Sequence, residues 1–216
     1  MAILSLVKPL SRLRDEQQFP DEIVLGAVDL AFARGAIAEI TGEASTGKTS
    51  LTLALLAQLT ATGEICAVVD SCDSFDPMTA RLAGVELDNL LWVRCSGDVE
   101  RSFLAADHLV QAKGFGAIWL NLNGLAETKL RQVPRTYWYR YRTRIKETPT
   151  ILVVTAGESV TGSASQRSLT FTRDRTVCSG GGNFRLFREF HIKAQSRKGY
   201  YEPPTHFRAE FDYTEI

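Results

Sequence analysis

Gly42-Glu43-Ala44-Ser45-Thr46-Gly47-Lys48-Thr49 reads G-x-x-x-x-G-K-[ST], the spacing of a loop that wraps phosphate. Its glycines let successive backbone N–H groups curl around an anion, and the helix that follows points its positive end at the same place. In such a loop Lys48 would reach the β- and γ-phosphates and the Thr49 hydroxyl would ligate Mg²⁺. The motif carries meaning only between a strand and a helix. Ala36-Ile37-Ala38-Glu39-Ile40 is a short β-like run just before it, and residues 50–59 are rich in helix formers just after. Gly42, Glu43, Ala44, Ser45, Thr46, Gly47, Lys48, Thr49 and Ser50 are therefore the candidate nucleotide contacts, with ATP and Mg²⁺ as the expected ligands.

Outward from this loop, the chain alternates strand and helix patterns. Cys66-Ala67-Val68-Val69-Asp70 is a continuous apolar run ending in an acid, as in a buried parallel strand. Residues 77–83 suggest a short helix closed by Gly84, and Leu90-Leu91-Trp92-Val93 another buried strand. An amphipathic helix over 99–111, a strand over 117–120, a basic helix from about Pro134 and a strand over 151–154 follow. That alternation predicts a parallel sheet covered on both faces. After residue 165 the period becomes two, over 169–172, 184–187, 190–193 and 207–211, with glycines at 180–182. These read as antiparallel strands extending the same sheet. The expected fold class is α/β: a mainly parallel sheet flanked by helices, with antiparallel C-terminal strands. Residues 1–22 form an expected N-terminal arm and 23–216 one core domain.

A chain of 216 residues fits one such domain. Lys+Arg and Asp+Glu are equal at 25 each, so any nucleic-acid or membrane surface must be local. Cys66, Cys72, Cys95 and Cys178 show no C-x-x-C spacing, which disfavours structural zinc and suggests buried thiols of a reducing compartment. No run approaches the ~20 apolar residues of a membrane span, and MAILSLVKPL lacks the charged start of a secretory signal. A cytoplasmic protein is expected. His108, His191 and His206 are isolated and receive no catalytic role.

The order of motifs resembles the ATPase core of RecA-type recombinases. The most specific segment runs from Val69-Asp70-Ser71-Cys72-Asp73-Ser74-Phe75-Asp76-Pro77 to Gly84-Val85-Glu86-Leu87-Asp88-Asn89-Leu90-Leu91. It is similar to that family's second strand, Asp-Pro turn and G-V-D-x-D-N-L-L segment. The likeness extends over residues 23–213 and weakens after 125. It implies that Asp76 and Thr79 lie beside the adenine, with Thr79 in place of the family's stacking tyrosine. It also exposes departures. Cys72 stands where the family has its hydrolytic glutamate, Asn121 replaces the Mg²⁺-shell aspartate, and Ala156 replaces the glutamine sensor. Asp73, one residue displaced, is the candidate replacement base. Phosphoryl transfer depends on positioning and charge stabilisation, so these losses predict weak or absent hydrolysis.

A second surface is expected over 129–146, where seven basic residues occur without an acid. Taken as one helix, Val133, Tyr137, Tyr141 and Ile145 form an apolar stripe. Arg131, Arg135, Arg142 and Lys146 share the adjoining face, with Tyr137 and Trp138 interleaved, so DNA or a protein partner is the expected contact. Residues 158–166, at the place of the family's second DNA loop, carry no cation and read equally well as a flexible connector. Arg197 and Lys198 are candidates for a subunit interface reaching a neighbour's nucleotide.

Short degenerate chains of this kind resemble the ImuA group. That resemblance implies an SOS-induced accessory of translesion synthesis, nucleoid-associated, working with a Y-family polymerase homologue and an error-prone replicative-type polymerase, and with RecA itself. An active DNA-stimulated ATPase or recombinase paralogue, and a cell-division inhibitor of the SulA type, are the alternatives.

Overall fold

The computed structural model describes residues 20–181, 186–197 and 203–210; the expected arm, apart from its last residues, and Lys198 lie outside them. The described residues begin with a small antiparallel hairpin, β1 (Glu22–Leu25) and β2 (Leu30–Ala33). Next come β3 (Ile37–Gly42), α1 (Lys48–Ala61), β4 (Cys66–Asp70) and α2 (Pro77–Leu82). The middle of the chain supplies β5 (Leu90–Arg94), α3 (Val99–Ala112) and β6 (Ala117–Asn121). Two helices, α4 (Glu127–Arg131) and α5 (Thr136–Ile145), lead to β7 (Ile151–Ala156). Three long strands follow: β8 (Arg167–Ser179), β9 (Leu186–Ser196) and β10 (Thr205–Glu210).

Among the described residues, eight strands form one sheet in the order β10-β9-β8-β3-β7-β6-β4-β5. Pairing is parallel from β5 to β8 through β3 and antiparallel from β8 to β10. This is the expected α/β arrangement. The first strand of the sheet, β3, sits at its centre, so the loop that follows it opens at the carboxyl ends of the parallel strands. Ligand crevices of open α/β sheets lie at that edge.

Both faces are covered. On one, Leu51, Leu55, Leu56 and Leu59 of α1 pack on Val68, Trp119, Val153 and Phe171, together with Leu30 and Phe32 of the hairpin. On the other, Phe103 and Val110 of α3 and Trp138, Tyr141 and Ile145 of α5 pack on Val69, Ile118, Leu152 and Val154. Strands β3, β4, β6 and β7 are buried at every residue, which is why they read as unbroken apolar runs.

Three expectations are corrected. Leu90-Leu91-Trp92-Val93 is the sheet's edge and not a buried strand, so Leu91 remains 44% exposed. The basic stretch is not one helix. Pro134 has no N–H and disfavours helix at Val133, so α4 and α5 are separate. The strand around residue 169 reaches Ser179: it leaves its parallel partner β3 at Phe171 and runs on against β9, with register shifts at Arg173/Arg175 and Val177/Cys178.

Candidate nucleotide-binding site

The loop between β3 and α1 has the backbone that its residue types demand. Gly42 has φ 143° and Gly47 has φ 86°, both in the region that favours glycine. A Cβ on Gly42 would run into the Phe171 carbonyl oxygen, and one on Gly47 would lie 2.5 Å from Ile192 Cδ1. The Thr46 hydroxyl donates to the Glu43 carbonyl at 2.9 Å, closing the turn. Lys48 is buried, and its Nζ donates to the carbonyls of Gly42 and, at 3.0 Å, Glu43. Burial lowers its pKa from the usual lysine value. The ammonium is thus held inside the curl of the loop. Thr49 and Ser50 are exposed at the first turn of α1.

This loop forms one wall of a cleft of about 710 Å³ that contains every residue from Gly42 to Ser50. The facing wall includes Ser74, Asn121, Asn123, Glu127, Arg173 and Phe190. Its size suits a nucleotide. The stretch Gly42–Ser50 lies together in the lining, whereas Asp76 and Thr79 are not part of it. The Asp76 carboxylate instead caps α2, accepting from Met78 N, Thr79 N and Thr79 Oγ1 at 3.2, 3.1 and 2.5 Å.

The positions of the expected departures have structural partners of their own. Asp70, fully buried, accepts from Ser74 N, Phe75 N and Trp92 Nε1 at 3.0, 2.8 and 3.4 Å, and so fixes the turn after β4. Within that turn Cys72 lies against Gly124, and burial, then the charges of Asp70 and Asp73, push its thiol pKa up. A protonated thiol accepts no proton from water. Asp73 has φ 55° and is bound by Arg94 Nε at 3.2 Å and Ser96 Oγ at 3.1 Å. The Arg94 hydrogen bond holds its carboxyl below the usual range. Asp73 therefore faces the end of β5 and does not line the cleft. Ala156 is buried at the end of β7 and offers no polar group.

Asn121 ends β6 inside the cleft. Its Oδ1 accepts from Asn123 N, Asn123 Nδ2 and Thr155 Oγ1 at 3.2, 2.8 and 3.1 Å, and its Nδ2 donates to Ser74 Oγ at 3.0 Å. A Mg²⁺ shell in this class of site takes one or two carboxylates besides the phosphates. Here the strand end supplies a neutral amide whose oxygen is already occupied. Only the Thr49 hydroxyl remains of the expected pair, so the residues at this position do not fit the ion. Pattern reading overlooked several cleft residues, among them Ser74, Asn123, Glu127 (3.5 Å from Arg131), Phe190 and Arg173. A signal existed for Arg173, two residues past buried Phe171 on an alternating strand and hence on the same face.

The second surface is partly dismantled. Trp138 is 2% exposed and Tyr141 fully buried; both pack around Phe103, and the Tyr141 hydroxyl donates to the Phe103 carbonyl at 2.6 Å. Tyr137 is half-buried against Phe103, beneath the Arg140 guanidinium. Trp138 is thus core, and Tyr139 is the exposed aromatic, its hydroxyl 2.6 Å from Ser163 Oγ. Arg131 pairs with Glu158 at 2.9 Å, while Arg140 and Arg144 converge on Asp107 at 2.9 and 2.5 Å. Arg135, Arg142 and Lys146 stay exposed without an ion pair among the described residues. At ~100° per residue they share one helix face.

The loop at 158–166 is not a free connector. Buried Glu39 of β3 accepts from Val160 N, Thr161 N, Ser159 Oγ and Ser168 Oγ at 2.7–2.8 Å. Arg197 is exposed, its N–H donating to the Ser168 carbonyl, level with the middle of β3 rather than its loop end. Cys66 and Cys95 are buried as expected, Cys72 is half-buried and Cys178 is exposed.

Residues 22–122 match the family model of the RecA N-terminal domain, and the fold around them is RecA-like. The chain is 41% identical over 97 residues to protein RecA of Methylococcus capsulatus, covering 45% of this chain and 27% of that protein. It is 38% identical over 109 residues to RecA of Corynebacterium aurimucosum, covering 47% and 29%. With RecA of Francisella philomiragia it shares 35% over 118 residues, covering 50% and 32%. The matched stretch spans between about a quarter and a third of these relatives' length. Among the described residues, no helix is long and apolar enough to cross a membrane.

Proposed function

We propose that this chain is a RecA-fold accessory protein of SOS DNA damage tolerance, of the ImuA type, that binds ATP in the β3–α1 loop and hydrolyses it weakly or not at all. One observation carries the reading: the phosphate loop is intact, while the residues standing where the resemblance expects the hydrolytic groups cannot run the chemistry. Cys72 is a protonated thiol, Asn121 an amide whose oxygen is already engaged and Ala156 a methyl group. Nucleotide would then set a conformation that partners read. Those partners are a Y-family polymerase homologue, an error-prone replicative-type polymerase and RecA itself, with DNA on the Arg135, Arg142 and Lys146 face and cytoplasmic, nucleoid-associated location.

A second reading, a DNA-stimulated ATPase, draws support from Glu127, a carboxylate in the cleft wall. The two separate by ATP turnover of the purified protein with and without single-stranded DNA, using Lys48→Ala as control. Turnover no higher than that control is expected. DNA-stimulated turnover that Lys48→Ala abolishes and Glu127→Gln suppresses would establish the enzyme instead.

A further inference from the structure

Strand β8 pairs Phe171 with Gly42, the first residue of the phosphate loop. Beyond that pair β3 ends, but β8 continues, so Arg173 projects past the loop on the face that carries Phe171 and α1. There it lines the cleft beside Phe190. Arg173 is exposed and forms no ion pair among the described residues. The charged lining is therefore Lys48 and Arg173 against Glu43 and Glu127. At the strand end where a metal-holding carboxylate would be needed, Asn121 has its oxygen committed to Asn123 and Thr155.

A nucleoside triphosphate carries several negative charges, which a cleft must neutralise. One way is a divalent ion held by carboxylates; another is a guanidinium, whose planar fork suits phosphate oxygens. At the β6 strand end this cleft offers an amide instead of a carboxylate, and its wall carries a guanidinium. We propose that Arg173 grips the terminal phosphates in place of the divalent ion, so that nucleoside di- and triphosphates bind without Mg²⁺. The inference rests on the nucleotide reading of the loop and specifies how the phosphate charge is met.

The test is equilibrium binding of a fluorescent ATP analogue to the full chain, with ATP, ADP and AMP as competitors, in Mg²⁺ and in EDTA. Affinity is expected to change less than about threefold between the two media. Arg173→Ala and Arg173→Gln are expected to weaken ATP in EDTA about tenfold or more, the loss of one charge-assisted contact. AMP should compete equally against all forms, and unchanged thermal unfolding should show that the exposed substitution leaves the fold intact. Binding that EDTA abolishes overturns the inference while leaving the nucleotide reading in place, as does an Arg173→Ala protein that binds ATP as the wild type does. Wild-type protein that binds ATP in neither medium, like Lys48→Ala, overturns both.

Discussion

Gly47 shows how far a single residue can be constrained. Its φ of 86° already disfavours a side chain, and Ile192 occupies the space that a Cβ would take. Gly47→Ala is therefore expected to cost about 2 kcal/mol or more, seen as a lowered denaturation midpoint without any ligand. Trp138 makes the opposite case. It stands in a basic stretch and reads as a stacking residue, yet it lies in the core against Phe103. Trp138→Ala should cost ~3–5 kcal/mol of stability by leaving a cavity, whereas loss of a surface contact would leave the melting curve nearly unchanged. The loop residues were legible because their spacing is dictated by phosphate geometry. Trp138 was not, because an aromatic between arginines has the same pattern whether it faces water or the sheet.

Among the elements, the segment after β7 depends on a single acid. Burial would raise the Glu39 carboxyl, but hydrogen bonds from Thr161, Ser159, Ser168 and Val160 outweigh it and hold its pKa below the usual glutamate value. The folded value is thus depressed. Its stabilisation is present above the unfolded pKa of ~4.3 and is lost as pH falls through the folded value. Glu39→Gln should cost on the order of 2 kcal/mol, flatten the acid limb of the stability curve and speed hydrogen exchange over 158–165. Nothing in the sequence announced this: Glu39 sits in an apolar strand and its partners lie about 120 residues away. The alternation of strands and helices was legible because covered parallel strands must be apolar on both faces. The edge position of β5 was not, since the order of strands in a sheet is a long-range property.

For the whole molecule, charge is balanced overall and concentrated locally. Arg135, Arg142 and Lys146 form the exposed stripe, while Arg131, Arg140 and Arg144 are engaged by Glu158 and Asp107. A triple substitution of the stripe to alanine should weaken single-stranded DNA binding and reduce its salt dependence. Arg140→Ala should instead show mainly as altered stability. Equal losses of DNA affinity from both proteins would contradict this division.

The position of β3 in the sheet governs how the molecule can assemble. It is the earliest strand of the sheet among the described residues, yet both its neighbours, β7 and β8, come from residues 151–179. Pairing over such separations is slow, because loop closure precedes any gain. During synthesis the loop at 42–49 therefore leaves the ribosome long before the strands that hold it exist. The stretch that matches the RecA N-terminal domain, residues 22–122, contains β3 with both of its edges bare. Similarity and autonomy part company here: the most recognisable portion of the chain is a fragment that must wait for the least recognisable one before it can fold.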